Sequence, residues 1–286
     1  AEVLPKKDFL ISSGQLNVKV LPPISIADPI WGENLRNKTK NIAHYFKENF
    51  EIYEYDREDT TYLRNRIFSN YIFKGPVLEW YFKVKWRLES NNYAFYERNI
   101  RNHKNILDIG CGYGYLSFFL HYKNKARNII GIDYDAEKIS IASNSYNKSE
   151  NLNFINTDIM SHDFQSQDVI FLNDVLHYLS AENQRLLLQR CIVALLPGGI
   201  LFIRDGITDR TKLHTKTELT EKLSTGILGF NKKKEAFHYF HSDKIFQLAL
   251  EHNLEIEMNN HSTNTSNVLF ILKKPNTKYS YANDEA

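Results

Sequence analysis

The hydrophobic positions of the chain follow one pattern before about residue 103 and another after it. In the first part, apolar residues recur at helical spacing, which predicts a helix from Asn34 to about Tyr53 and two or three further helices before residue 103. Up to two of these follow the Gly75-Pro76 break. In the second part, short apolar runs alternate with helix-length amphipathic stretches, a pattern typical of a doubly wound parallel sheet. The sequence therefore predicts an α/β domain preceded by a helical cap or lid over residues 34–102.

The second pattern predicts a Rossmann-like sheet of seven strands. The strands are expected at 105–109, 128–132, 152–156, 168–173, 199–204, 254–258 and 268–272. Helices are expected at 115–123, 136–148, 181–195 and 243–252, the third with Ser180 as its N-cap. The last two strands follow each other directly and predict an antiparallel closing pair. We place this domain at 103–274, after an irregular segment over 1–33 and the helical cap over 34–102, and before a disordered tail over 275–286.

Composition and charge exclude several classes of protein. The 36 basic and 34 acidic residues give a net charge of +2, too small to attract a nucleic-acid backbone. The two cysteines, Cys111 and Cys191, predict neither a disulfide framework nor a metal site, and they favour a cytoplasmic location. No apolar stretch approaches the roughly 20 residues of a transmembrane helix. The chain also lacks an initiator methionine, so we expect it to be part of a longer protein.

A glycine-rich loop follows the first predicted strand. Gly110, Gly112 and Gly114 let the backbone approach a ligand closely and present amides to it. A dinucleotide loop of the form GxGxxG would need Gly or Ala at position 115, where this chain has Tyr115. Asp108 precedes Gly110 by two residues, and its carboxylate suits a cationic ammonium group and would repel a pyrophosphate. The loop therefore favours S-adenosylmethionine over NAD.

Acidic residues after the next strands extend the predicted cofactor site. Asp133 is placed to accept hydrogen bonds from both ribose hydroxyls, and Asp158 to accept one from the adenine amino group. Two aromatic residues of the helical cap are also candidates, although packing in the core would explain them equally well. The complete set of expected cofactor contacts is Asp108, Gly110, Cys111, Gly112, Gly114, Asp133, Tyr134, Asp158, Ile159, Asn173, Asp174, Tyr71 and Trp80.

Four motifs together resemble class I methyltransferases over residues 103–274: DIGCGYG, GIDYD, NDVLHYL and LLPGGILFIRDG. Residues 71–89 and 223–232 resemble the methyltransferase end of trifunctional bacterial proteins that also contain an MMPL-type exporter and a lysophospholipid acyltransferase. Residues 14–24 and 39–50 resemble the tail of the acyltransferase part. The resemblance implies an S-adenosylmethionine-dependent enzyme that methylates oxygen or carbon of a small aromatic acceptor, either free or linked to a carrier or lipid.

Three residues near the ends of the fourth and fifth strands are candidates for catalysis. His177 could remove a phenolic proton near neutral pH, or it could pack against the cofactor. Asp174 could be a base or a hydrogen-bond partner, and Arg204 could hold the acceptor or form a surface ion pair with Asp205. A second hypothesis is a non-catalytic module that binds S-adenosylmethionine and assembles with membrane-bound partners. The oligomeric state stays open.

Overall fold

A seven-stranded mixed sheet organises the chain in the computed structural model, which describes residues 18–56, 61–72, 74–146, 149–208, 238–259 and 267–276. The strands are β1 (Asn105–Ile109), β2 (Asn128–Asp133), β3 (Leu152–Asn156), β4 (Gln167–Asn173), β5 (Leu195–Gly206), β6 (Glu255–Asn259) and β7 (Asn267–Lys273). Their order is β3-β2-β1-β4-β5-β7-β6, with β1 to β5 parallel and β7 antiparallel to both of its neighbours. The predicted fold class and the antiparallel closing pair are confirmed.

Seven α-helices accompany the sheet in the described residues. They are α1 (Leu35–Asp56), α2 (Thr61–Phe68), α3 (Pro76–Ile100), α4 (Tyr115–Lys123), α5 (Ala136–Ser143), α6 (Ala181–Ala194) and α7 (Asp243–Glu251). Ser180 is the N-cap of α6, as predicted, and accepts a hydrogen bond from the Asn183 amide at 3.3 Å. A 3-10 turn, Leu176–Tyr178, follows β4.

Three boundaries differ from the prediction. A single helix, α3, replaces the two expected after Gly75, because no glycine or proline interrupts the polar stretch near residue 90. Helix α5 ends at Ser143 instead of residue 148. At this end, the Asn144 side chain donates a hydrogen bond to the Ser140 carbonyl at 2.8 Å. Strand β5 begins at Leu195 instead of residue 199, so it includes the Pro-Gly-Gly sequence at 197–199.

Helices cover both faces of the parallel strands. On one face, α3 and α4 form a mostly aromatic cluster that includes Tyr71, Phe82, Trp86, Tyr96, Phe118 and Phe119. On the other face, α6 and α7 pack an aliphatic cluster against β4, β5 and β7. Strands β1, β2, β4 and β5 are therefore mostly buried on both sides, which explains why they read as apolar runs in the sequence, whereas β3 at the edge of the sheet is largely exposed.

Helix α3 is part of the core, although it was expected to belong to a cap or lid. Arg127, at the start of β2, is fully buried and donates to both carboxylate oxygens of Glu97 on α3, at 2.5 and 3.1 Å. The same guanidinium donates to the carbonyls of Ile100 and Leu120, at 3.1 and 3.2 Å. A buried, bidentate ion pair with two further hydrogen bonds fixes the end of α3 against the sheet.

Some sequence predictions fall on residues outside those that the structure describes. These are the first part of the N-terminal segment (1–17), the segment 223–232 that carries part of the resemblance, and most of the C-terminal tail (277–286). Within the described part of the chain, no helix combines the length and the hydrophobicity that crossing a membrane requires.

Candidate cofactor and acceptor site

A cavity of about 320 Å³ opens at the carboxyl ends of the parallel strands. The sheet order changes direction between β1 and β4, and ligands of open α/β sheets bind at this point. Ten of the thirteen expected cofactor contacts line the cavity: Asp108, Gly110, Cys111, Gly112, Asp133, Tyr134, Asp158, Ile159, Asn173 and Asp174. Arg204, one of the three catalytic candidates, lines it as well.

The glycine loop brings the backbone close to the cavity. Gly110 has a φ of +71°, and a Cβ atom added there would collide with the Val175 side chain. The amides of Gly110 and Cys111 donate to the Ile132 carbonyl at 2.8 and 3.0 Å, and the Gly112 amide donates to Asp133. These amides already have acceptors within the protein, so the expectation that they point at a ligand is wrong. Gly110 and Gly112 contribute a tight surface without side chains instead, next to Cys111 and Tyr113 in the cavity lining.

Asp108 at the end of β1 is a buried carboxyl group in the cavity lining. Ser117 donates a hydrogen bond to its Oδ2 at 2.6 Å. Burial raises the pKa of Asp108 to about 7, and the nearby charge of Asp133 acts in the same direction, whereas the Ser117 hydrogen bond acts against it. A cation bound beside this group would favour its ionised form.

The carboxylate of Asp133, at the end of β2, is held by two backbone amides. Gly112 donates to Oδ2 and Asp135 donates to Oδ1, each at 2.9 Å. A carboxylate oxygen can accept a second hydrogen bond, so both oxygens keep capacity for hydroxyl groups of a ligand. Asp158, beyond β3, is exposed at the cavity edge and accepts from the Met160 amide at 2.9 Å. Three carboxyl groups thus follow the ends of three adjacent strands.

These groups fit S-adenosylmethionine by their chemistry. Asp108 suits the amino acid ammonium, Asp133 suits the ribose diol and Asp158 suits an adenine amino group. Ile159 and Tyr134 add apolar and aromatic surface next to the last of these acids. The donor and acceptor properties of this side of the cavity therefore match those of the predicted cofactor.

Three expected cofactor contacts lie outside the cavity lining. Tyr71 is fully buried, stacks on Phe82 and donates its hydroxyl to the Tyr113 carbonyl at 2.6 Å, so it supports the glycine loop from behind. Trp80 on α3 is 50% exposed. Gly114 begins α4 with a φ of +78°, and a Cβ atom there would collide with the ring of Phe154.

Other lining residues were not predicted from the sequence. Helix α3 contributes Tyr81, Lys85, Glu89 and Tyr93, which are spaced four residues apart and therefore share one face. Further members are Tyr113, Tyr115, Leu116, Lys138, Val175, Tyr178 and Leu179. The sequence did contain a signal for these α3 residues, because two charged residues lie between two tyrosines on one face of the predicted helix.

A cluster of four charged side chains occupies the cavity wall between α3 and the ends of β4 and β5. The Arg204 guanidinium contacts Glu89 at 3.1 Å and Asp174 at 3.2 Å, and the Lys85 ammonium lies 3.9 Å from Asp174. Burial opposes ionisation of Asp174, but Arg204 and Lys85 outweigh it and hold the pKa of Asp174 below its usual value. Asp174 is thus a carboxylate, and it also accepts from Asn267 at 2.7 Å.

The expected surface ion pair between Arg204 and Asp205 is wrong. Successive residues of a strand point to opposite faces, and Arg204 pairs with Glu89 and Asp174 while Asp205 points the other way. Asp205 is fully buried, and its Oδ2 accepts hydrogen bonds from the amides of Val175 and Leu176 at 3.0 and 2.7 Å.

His177 is buried behind the cavity wall and is not part of the cavity lining. Its Nδ1 lies 2.6 Å from Oδ1 of Asp205, and its ring packs against Tyr178, which does line the cavity. The structure therefore places His177 in the support of the loop after β4. Asp174 and Arg204 are the catalytic candidates that it brings to the cavity itself.

Comparison with known proteins agrees with this geometry. A family profile described as "Methyltransferase domain" matches residues 100–271. Carboxy-S-adenosyl-L-methionine synthase of Vibrio vulnificus (strain YJ016) is 33% identical over 114 residues, which are 38% of this chain and 46% of that protein. The enzyme of the same name from Aliivibrio fischeri (strain MJ11) is 30% identical over 114 residues, 38% of this chain and 47% of that protein. The chain thus spans slightly less than half the length of these curated relatives.

Solved structures show the same fold. An O-methyltransferase family protein from Burkholderia thailandensis has a TM-score of 0.55 at 15% identity, over 68% of this chain and 59% of that one. The apo form of the S-adenosylmethionine-dependent methyltransferase SibL has a TM-score of 0.53 at 15% identity, over 69% of this chain and 58% of that one. Because the profile covers more than half of the 286 residues, the chain belongs to the methyltransferase domain family and is an S-adenosylmethionine-dependent enzyme with a Rossmann-like α/β fold.

Proposed function

We propose that the chain transfers the methyl group of S-adenosylmethionine to oxygen or carbon of a small aromatic acceptor. The observation that carries this proposal is the division of one cavity into two sides. One side presents the acids Asp108, Asp133 and Asp158, and the other side is lined by tyrosines and a charged cluster. A cofactor and an acceptor bound on the two sides would meet in the middle of the cavity.

On the cofactor side, each acid would hold one part of the ligand. Asp108 binds the ammonium group, Asp133 the ribose hydroxyls and Asp158 the adenine amino group. When bound, S-adenosylmethionine supplies a methyl group that is activated by its sulfonium centre. The contribution of the chain is then alignment of the acceptor and exclusion of water.

On the acceptor side, tyrosine rings offer surfaces on which an aromatic acceptor can stack. Tyr81, Tyr93, Tyr115 and Tyr178 all line the cavity. Asp174 has a lowered pKa, so it suits a hydrogen bond from an acceptor hydroxyl better than removal of its proton. The positive charges of Lys85 and Arg204 stabilise a developing phenolate, and the proton can leave to water.

A second candidate is formation of carboxylated S-adenosylmethionine, the product named for the Vibrio and Aliivibrio relatives. A second carboxylic acid would supply CO2 by decarboxylation, and the methyl carbon of the cofactor would lose a proton and bond to that CO2. The observation in its favour is that two cations, Lys85 and Arg204, line the same cavity and could hold a carboxylate group. Both candidates need the same cofactor side, and they differ in what occupies the side lined by α3.

The test is incubation of the chain with S-adenosylmethionine and a panel of phenols, catechols, aromatic acids and carboxylic acids that readily lose CO2, followed by mass spectrometry. A methylated acceptor together with S-adenosylhomocysteine supports methyl transfer, and carboxylated S-adenosylmethionine supports the second candidate. Tight cofactor binding by calorimetry without either product across the panel would favour the non-catalytic assembly module.

A matched pair of variants checks the cofactor side. Asp133→Ala should weaken S-adenosylmethionine binding by roughly 1–3 kcal/mol, because ribose hydroxyls lose a buried acceptor. Asp163→Ala removes an exposed acid on the loop after β3 and should leave the affinity unchanged. Equal affinity of both variants would mean that Asp133 does not bind the ribose.

We also propose that the acceptor is linked to a carrier or lipid and that the chain acts at the cytoplasmic face of a membrane, as part of a longer protein. The sequence resemblance of residues 71–89 and 223–232 to the trifunctional bacterial proteins supports this proposal, and the first of these segments covers α3 up to Glu89. Comparison of turnover on a free phenol with turnover on the same phenol attached to an acyl carrier protein or a phospholipid would test it. Equal turnover on all three would contradict it.

A further inference from the structure

Helix α1 presents a mostly apolar stripe that the described part of the chain leaves partly open. Leu35 and Phe46 are 80% and 57% exposed and Thr39 is exposed, while Ile42, Asn49 and Tyr53 are half-buried, with the Lys19 ammonium 5.8 Å from the centre of the Tyr53 ring. No α1 side chain that the structure describes is buried. Large aromatic and aliphatic side chains in one exposed stripe of a helix are typical of a surface that another helix covers.

The stripe has the spacing of a coiled-coil seam. Its members are separated alternately by four and three residues: Leu35, Thr39, Ile42, Phe46, Asn49 and Tyr53. This heptad spacing keeps one face of a helix directed at a partner helix over about 27 Å, roughly five turns. The stripe contains two polar positions, one near each end.

The order of polar and apolar positions in the stripe is the same in both directions. In an antiparallel pair of α1 helices, Leu35 would meet Tyr53 of the second copy, and Ile42 would meet Phe46. Thr39 would meet Asn49, so the polar positions coincide. Every layer of such a two-fold pair would match apolar with apolar or polar with polar.

The charges of α1 are separated along the helix. Its first thirteen residues contain four basic and no acidic residues, and its last nine contain four acidic and no basic residues. This arrangement opposes the helix dipole, which favours acids at the start and bases at the end. Stabilisation of α1 itself therefore does not explain the separation of charges along the helix. In an antiparallel pair, each basic half lies along the acidic half of the other copy.

We propose that α1 pairs antiparallel with α1 of a second copy of this chain, so that the protein is a two-fold dimer. The heptad stripe with its exposed Leu35 and Phe46, its symmetric polar positions and the complementary charge halves together specify this partner and this orientation. A lipid surface would suit a basic helix, but the acidic half of α1 would be repelled by anionic headgroups.

The first test is sedimentation equilibrium of the full chain from about 1 μM to about 1 mM, the range of weak to moderate association. The wild type should form dimers. Phe46→Asp introduces two charges into the central layers of a symmetric pair, and it should weaken association by roughly 100-fold or more. Val193→Asp is the matched control, because Val193 on α6 is also an exposed apolar residue, and it should leave association unchanged.

Cross-linking tests the orientation. Thr39→Cys mixed with Asn49→Cys should form a disulfide-linked dimer under mild oxidation, whereas each variant alone should not exceed the wild type, which has its own Cys111 and Cys191. A monomer at all concentrations would overturn the proposal. So would a dimer that Phe46→Asp leaves intact, self-linking of Thr39→Cys, or Phe46-dependent binding of the monomer to phosphatidylglycerol vesicles.

Discussion

Helices α1 and α3 are the two longest helices among the residues that the structure describes, and their apolar residues recur at the same helical spacing, yet their surroundings differ. Eight side chains of α3 are buried, including Phe82 and Tyr96, while no described side chain of α1 is. Helix α3 is apolar on the face that meets α4 and the sheet, and it carries Lys85 and Glu89 on the face that lines the cavity. Periodicity predicts that a helix forms, but the partner of each face depends on residues far away in sequence.

The largest expected difference between the two helices is in core packing. Phe82→Ala removes a ring that packs on Tyr71, Trp86 and Tyr115, and should lower the free energy of unfolding by about 3–5 kcal/mol. Phe46→Ala on α1, measured by denaturant unfolding at a concentration where the chain is monomeric, should change it by about 0.5 kcal/mol or less. Similar losses of unfolding free energy for both variants would contradict the burial of Phe82 and the exposure of Phe46.

The buried ion pair gives the next largest effect. Glu97→Gln leaves the fully buried Arg127 without its charged partner and should cost about 3 kcal/mol in unfolding free energy. Its counterpart on α1 is Glu48→Gln, which affects an exposed contact with His44 and should cost about 0.5 kcal/mol or less. Thermal or urea unfolding of both variants measures the difference. A Glu97→Gln variant as stable as the wild type would refute the conclusion that the Arg127–Glu97 ion pair fixes the end of α3 against the sheet.

A smaller effect is expected where α3 lines the cavity. Glu89 contacts the Arg204 guanidinium and accepts a hydrogen bond from Asn92 at 2.9 Å, so it helps to fix the position of Arg204. Glu89→Gln should raise the KM for the acceptor by about tenfold, the equivalent of one weakened charged contact. The affinity for S-adenosylmethionine should stay within a factor of about two, since Asp108 and Asp133 are untouched. Glu48→Gln again serves as the control.

An effect of similar size is expected from a pH dependence that α1 should not influence. Because burial raises the pKa of Asp108 to about 7, this group is mostly protonated at pH 6 and mostly ionised at pH 8. A cationic ligand binds the ionised form, so affinity for S-adenosylmethionine should rise about tenfold between these pH values. Calorimetry at pH 6, 7 and 8 measures the rise. Asp108→Asn should bind weakly at every pH, and an equally steep rise in that variant would assign the titration elsewhere.

Ionisation of Asp108 favours ligand binding, but it should lower the folding stability of the ligand-free protein. The pKa of Asp108 is higher in the folded chain than in an unfolded one, so the folded state binds more protons between about pH 4 and pH 7. Its contribution to stability is present at low pH and is lost as the pH rises through about 7. Bound cofactor should remove this loss, because the ligand's positive charge favours the carboxylate.

The sheet and the cofactor side could be predicted from the sequence because their signals are local. Buried parallel strands give continuous apolar runs, and Asp108, Gly110 and Asp133 follow strands at fixed distances. The acceptor side could not be predicted in the same way. Along α3, a change of one residue turns a side chain by about 100°, so Trp80 faces solvent while Tyr81 lines the cavity. The choice between them depends on how α3 packs against α4.

The partners of charged residues were the other feature that sequence could not give. Arg204 and Asp205 are neighbours in sequence, yet each finds its partners on a different face of β5. Likewise, Arg127 reaches Glu97 across 30 residues. Sequence distance says little about such contacts, because the strand alternates its side chains and the sheet brings distant segments together.

Asp205 has a consequence for how the cavity responds to ligands. Its single carboxylate links the end of β5 to the backbone amides after β4, so this segment is already ordered before anything binds. Ligands that touch Val175 or Tyr178 therefore lose little affinity to the ordering of that segment. A chain with asparagine at this position would start from a looser wall, and each binding event would have to restore the shape that the carboxylate now maintains.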